Sequence, residues 1–134
     1  MAKDLQILFL DDDQIEYIKL SRVLKSKSHS VTLAKSGDEA IEKLNEFTPD
    51  IIIMDLNMPG TGGLEFLKII KGKDDLRGIP AIVMTTTINK TDMMECYRHG
   101  VAGYFLKPLK YQDYEHKINL IVDYWSENEN FSEI

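Results

Sequence analysis

Short apolar runs alternate along this chain with stretches whose apolar residues recur at helical spacing. LQILFL (5–10) has the form of a buried strand, and residues 13–26 then place Tyr17, Leu20, Val23 and Leu24 on one helical face. Ser30 to Ala34 is a second, weaker strand. Ser36, with Glu39 three residues on, forms a capping box that opens a helix carrying Ala40, Ile41 and Leu44. Pro49 and Asp50 lead into Ile51 to Met54, a β-branched run suited to a central parallel strand. The loop LNMPGTGG precedes a helix with Leu64, Leu67 and Ile70 in register. Ala81 to Met84 is a fourth strand after the loop Arg77-Gly78-Ile79-Pro80. A helix from Lys90 to His99 closes on Gly100, a C′ glycine. Ala102 to Leu106 is a fifth strand ended by Lys107-Pro108, and a last helix from Tyr111 aligns Tyr114, Ile118, Ile121 and Trp125. From Ser126 the sequence is polar and predicts a frayed tail.

Five such units in a row predict an α/β fold, a doubly wound parallel sheet with helices on both faces. The 134 residues predict one domain, residues 1–134, with a core over about 5–125 and a tail over 126–134. No apolar run reaches the roughly 18 residues that a membrane span needs. The N-terminal MAKDLQ lacks the shape of a signal peptide. The single Cys96 excludes a disulfide framework and a Cys-rich zinc site, and the expected location is cytoplasmic. The net charge of −6 and the lack of any Lys/Arg cluster argue against direct nucleic-acid binding.

In folds of this class, ligands sit beyond the carboxyl ends of the strands, where the strand order reverses. Asp11, Asp12 and Asp13 follow strand one, Asp55 follows strand three, Thr85 follows strand four and Lys107 follows strand five. Carboxylates held this close repel unless a proton or a cation intervenes. An oxygen-only cluster suits Mg²⁺, and no nearby His or Cys favours zinc. Asp55 could serve as a metal ligand or as a nucleophile toward phosphorus, with Lys107 and Thr85 as donors to phosphoryl oxygens. Taken singly, each residue has a plain structural role. The three aspartates suit the cap and first turn of a helix, and Asp13 in particular fits a cap alone. Asp55 could simply end its strand, and Thr85 and Lys107 could simply be a turn threonine and a solvated lysine. The conjunction carries the inference.

The segments LFLDDD (8–13), DIIIMDLNMPGTGG (50–63), AIVMTT (81–86) and GYFLKPL (103–109) resemble the receiver domain of two-component response regulators, in the order and spacing of that family. The resemblance covers about residues 5–125. It implies a flavodoxin-like, five-stranded parallel sheet in order 2-1-3-4-5 with five helices, as in stand-alone chemotaxis regulators. It also implies that Asp55 is the phosphoacceptor, and that Asp11, Asp12, Asp55 and the main-chain carbonyl of Asn57 hold Mg²⁺. Lys107 matches the lysine that pairs with Asp55 or its phosphoryl group. Thr85 matches the switch hydroxyl and Tyr104 the switch aromatic, although Tyr104 also suits a half-buried strand position. Pro108 matches a proline whose preceding peptide bond is usually cis, although it could equally initiate a helix. Gly62 stands where many relatives carry an acid. Asn57 and Thr87, at positions that tune phosphoryl lifetime, are not strong bases, which predicts no unusually fast self-hydrolysis.

The implied protein is a signalling phosphoacceptor, not an enzyme. It takes its phosphoryl group from a sensor histidine kinase or a histidine phosphotransfer protein. The chain runs about nine residues past Trp125, too short for an attached effector module. Output is therefore expected through an unknown partner protein, through a homodimer, or as a relay intermediate. The surface candidates are Asn89 to His99 and Tyr111 to Trp125. Met93, Met94 and Tyr97 suit either a docking patch or, more commonly at helical spacing, core, and Trp125 suits a dimer anchor or intramolecular packing. Other classes fit less well. Aspartyl-phosphate phosphatases use a strand-end D-x-D where this chain has Asn57, a pseudo-receiver normally lacks a key group, and no Gly-rich phosphate loop follows strand one.

Overall fold

A computed structural model describes residues 2–58 and 62–129 of the chain. Strands and helices alternate throughout: β1 (Gln6–Leu10), α1 (Gln14–Val23), β2 (Ser30–Ala34), α2 (Gly37–Glu46), β3 (Ile51–Met54), α3 (Gly63–Lys71), β4 (Ala81–Thr85), α4 (Lys90–Arg98), β5 (Gly103–Leu106) and α5 (Tyr111–Glu127). The strands form one parallel sheet in order β2-β1-β3-β4-β5. This is the order implied by the resemblance.

The central strands β3 and β4 are buried along their whole length, and β1 along all but its first residue. Such strands cannot alternate apolar with polar residues, because both faces are covered. Alternate residues therefore feed two cores. Leu8, Leu10, Ile52, Met54 and Val83 pack with α2, α3 and α4 through Leu44, Phe66, Leu67 and Cys96. Ile7, Phe9, Ile51, Ile53 and Met84 pack with α1 and α5 through Leu20, Val23, Tyr114, Ile118 and Val122. Leu10 lies opposite Met54 in the β1–β3 register, so Asp11 and Asp55 leave the sheet side by side. The order reverses between these two strands: the chain steps from β1 outward to β2, then crosses back to β3 on the other side.

Local chemistry explains most element ends. Ser36 Oγ accepts from the Glu39 amide at 3.1 Å, and the Glu39 carboxylate reaches back to the Lys35 amide at 3.2 Å. Gly100 adopts φ 86°, the left-handed conformation that glycine takes without a Cβ penalty. Four expectations are corrected. α1 stops at Val23 and not at residue 26, since the serines beyond it bond better in turns than in a helix. Ser126 is not tail: α5 runs to Glu127, Ser126 is buried, and its carbonyl accepts from the Lys3 amide at 3.0 Å. No described peptide bond is cis, so the Lys107–Pro108 bond is trans, the isomer intrinsically favoured before proline. Met94 and Tyr97 are not core: each is 53% exposed, because they lie one position beyond Met93 and Cys96 around α4, and only Cys96 is fully buried. Pro59, Gly60 and Thr61 of the LNMPGTGG loop, and residues 130–134 of the expected tail, lie outside the described residues.

Candidate functional site

The carboxyl edge of the sheet gathers the residues singled out from the sequence. Oxygens of Asp11, Asp12 and Asp55 lie within 4.8 Å of one another, a group that could hold a metal ion. Asp11 follows β1 directly and is 1% exposed. Its Oδ1 accepts from the Asp13 amide at 2.9 Å and its Oδ2 from Lys107 Nζ at 3.1 Å. Asp13 itself turns away to cap α1, with Oδ1 accepting from the Ile15 amide at 2.9 Å. Asp55 Oδ1 accepts from the Asn57 amide at 3.3 Å.

Electrostatics follow from this crowding. Burial is the main cause that raises the pKa of Asp11 and of Asp55, with Lys107 and backbone N–H groups pulling the other way. Burial also works against the Lys107 ammonium, but the combined field of Asp11, Asp55 and Glu16 outweighs it and raises its pKa. One ammonium facing three clustered carboxylates leaves negative charge uncompensated. The donors are all hard oxygens, so the residues present fit a hard divalent cation such as Mg²⁺.

Lys107 does not pair chiefly with Asp55. Its nearest carboxylate is Asp11 at 3.1 Å, followed by Glu16 at 3.8 Å and Asp55 at 4.0 Å. Thr85 ends β4 buried, and its Oγ1 accepts from Asn57 Nδ2 at 3.3 Å. Tyr104 is half-buried beside the core that includes Val83 and Cys96. Burial, Cys96 and Asp92 raise its pKa, against a backbone hydrogen bond at Asn89. The tyrosine therefore stands between β5 and the start of α4.

Three features escaped sequence reasoning. Glu16 reaches the lysine from the first turn of α1, and its spacing of four from Asp12 was the only available signal. The Asn57 side chain ties the loop after β3 to Thr85. Gly63 opens α3 so close to the end of β3 that a Cβ there would lie 2.3 Å from the Asp55 carbonyl oxygen. A glycine is required at that position to seat the helix against the site.

Residues 7–119, from the first strand into the last helix, match the family model of the response regulator receiver domain. PilH of Pseudomonas aeruginosa is 29% identical over 117 residues, covering 87% of this chain and 97% of PilH. The phosphorylated cyanobacterial phytochrome response regulator RcpA superposes with a TM-score of 0.87 at 26% identity, covering 96% of this chain and 98% of RcpA. The Mn²⁺-bound form of response regulator Rcp1 gives 0.85 at 29% identity, over 94% and 97% of the two chains. With the sheet order, the acidic cluster and this match in agreement, the chain belongs to the receiver domain family of two-component response regulators.

Proposed function

We propose that this receiver accepts a phosphoryl group on Asp55 from a phosphohistidine of a sensor histidine kinase or histidine phosphotransfer protein. The observation that carries this reading is the convergence of Asp11, Asp12 and Asp55 within 4.8 Å at the sheet edge that also receives Lys107. An Asp55 carboxylate oxygen attacks phosphorus in line, the P–N bond breaks, and its electron pair stays on the departing imidazole. Mg²⁺, when bound by Asp11, Asp12, Asp55 and the main-chain carbonyl of Asn57, would supply charge neutralisation for the phosphoryl oxygens. The Mn²⁺-bound state of the relative Rcp1 supports a divalent ion at this site. Lys107 donates to the phosphoryl group once the lysine leaves Asp11.

The added charge of about −1.5 to −2 drives the output. Thr85 exchanges its bond with Asn57 for one to a phosphoryl oxygen, and Tyr104 moves into the space released. The face built by α4, β5 and α5 then changes shape for a partner protein, a second copy or the next relay member. Support comes from Met94, Tyr97, Leu106, Leu120 and Tyr124, large apolar side chains that this face leaves exposed. In this reading the protein works as one receiver unit in the cytoplasm, as a phosphoacceptor and not as an enzyme acting on other substrates. No described helix is long and apolar enough to cross a membrane.

The test is a mass measurement after incubation with Mg²⁺ and acetyl phosphate. Wild type should gain about 80 mass units, one phosphoryl group, and Asp55→Asn should gain none. An unmodified wild type, or an adduct that survives Asp55→Asn, would rule the assignment out.

A further inference from the structure

Lys107 sits among three carboxylates, and the one contributed by α1 has no part in the reading above. Glu16 Oε1 lies 3.8 Å from Lys107 Nζ, nearer than Asp55 at 4.0 Å. Both partners are largely withdrawn from water, with side-chain exposures of 8% for Lys107 and 16% for Glu16. Screening between them is therefore weaker than for a surface pair. The other carboxylate oxygen, Glu16 Oε2, is buried and accepts no hydrogen bond among the described residues. Its nearest cation is Lys19 Nζ at 3.5 Å, which also lies 4.4 Å from the centre of the Tyr114 ring.

We infer that Glu16 is a positioning residue that holds the Lys107 ammonium back from Asp55 until a phosphoryl group arrives. The inference rests on the receiver reading and adds a control to it. Asp11 and Glu16 together draw the ammonium toward α1, while Asp55 alone draws it toward the acceptor. A phosphoryl group on Asp55 would reverse that balance, because it concentrates negative charge on the Asp55 side. Lys107 then crosses to Asp55. Glu16 is not left as an unpaired buried charge, since Lys19 already faces its second oxygen. A ready second partner avoids the large penalty of orphaning a desolvated carboxylate. The tether thus slows phosphorylation without blocking it.

Five forms should be phosphorylated with acetyl phosphate and Mg²⁺ and their rates compared: wild type, Glu16→Gln, Glu16→Asp, Lys107→Met, and Glu16→Gln combined with Lys107→Met. Glu16→Gln is isosteric and removes only charge, so it should accelerate phosphorylation roughly three- to tenfold, the coupling expected of neighbouring charges in one network. Glu16→Asp, which keeps the charge, should fall back toward the wild-type rate. In the Lys107→Met background the gain should vanish. Equal rates for wild type and Glu16→Gln would overturn the inference. So would a Glu16→Asp rate matching that of Glu16→Gln, which would make side-chain length the cause. An undiminished gain without Lys107 would overturn it too, leaving Glu16 as only a nearby repelling charge. A wild type that takes no phosphoryl group would overturn both this inference and the receiver reading. A phosphorylated wild type beside an unchanged Glu16→Gln would overturn this inference alone.

Discussion

His29 shows how one side chain can tie pH to the stability of the fold. Its Nδ1 accepts from the Leu5 amide at 2.8 Å, so the ring must be neutral with its proton on Nε2. Burial lowers its pKa, helped by Lys27 and opposed by Asp4, Asp123 and Asp50. A depressed folded value means that the unfolded chain binds the proton more readily. The contribution of His29 is therefore full above its ordinary value of 6.5 and is lost as pH falls through its lower folded value. Urea denaturation of wild type and His29→Gln should show a stability gap at pH 7.5 that narrows toward pH 5.5. A gap independent of pH would mean that the ring only fills space. Asp11 and Asp55 are displaced the other way, their pKa values raised by burial, which disfavours the charged carboxylate.

Among the elements, α1 separates two functions that three consecutive aspartates left entangled. Asp13 bonds the Ile15 amide and stands outside the cluster formed by Asp11, Asp12 and Asp55. Loss of such a cap typically costs about 1 kcal/mol. Asp13→Ala should lower unfolding stability by about that amount, Asp13→Ser should restore most of it, and Mg²⁺ affinity should stay within about twofold in both. A tenfold loss of Mg²⁺ affinity in Asp13→Ser would place Asp13 among the ligands instead. The start of α3 is a matter of contact and not of capping. Gly62 makes no side-chain cap bond, and Gly63 lets the helix approach the backbone of Asp55 and Leu56. On α4, Cys96 is buried and its thiol is pushed up to about 11, while Met94 and Tyr97 point outward, so this helix is held by a narrow stripe. Such an element can shift at little cost in core packing.

For the molecule as a whole, the −6 charge is less informative than its placement. Three carboxylates at one sheet edge, two of them with pKa values raised by burial, weaken the metal-free fold. A cation that binds only the folded chain stabilises it by mass action. At free Mg²⁺ one hundred times its dissociation constant, wild type should gain about 2.7 kcal/mol in unfolding stability, and chelation should remove the gain. Asp11→Asn should lose most of this response. An equal response in Asp11→Asn, or none in wild type, would place the ion elsewhere. The same global fold leaves the α4–β5–α5 face apolar in patches, with Leu120 and Tyr124 exposed.

Element types, their order and the residues that converge at the candidate site were legible in the sequence. In a parallel sheet covered on both faces, buried strands are continuous apolar runs, and the residues after them fall at the ligand-binding edge. Asp11, Asp55, Thr85 and Lys107 could be found from position alone for that reason. The capping box at Ser36 and the glycine at 100 were equally legible, because they act within a few residues of themselves. The tertiary structure decided what depends on distances between elements. It placed Lys107 nearer Asp11 and Glu16 than Asp55, joined Asn57 to Thr85, bound His29 to Leu5, and turned Met94 and Tyr97 outward. Periodicity states which face a residue occupies on its own element. Which residue of another element it meets is set by how helices pack across the sheet, and no spacing along the chain encodes that.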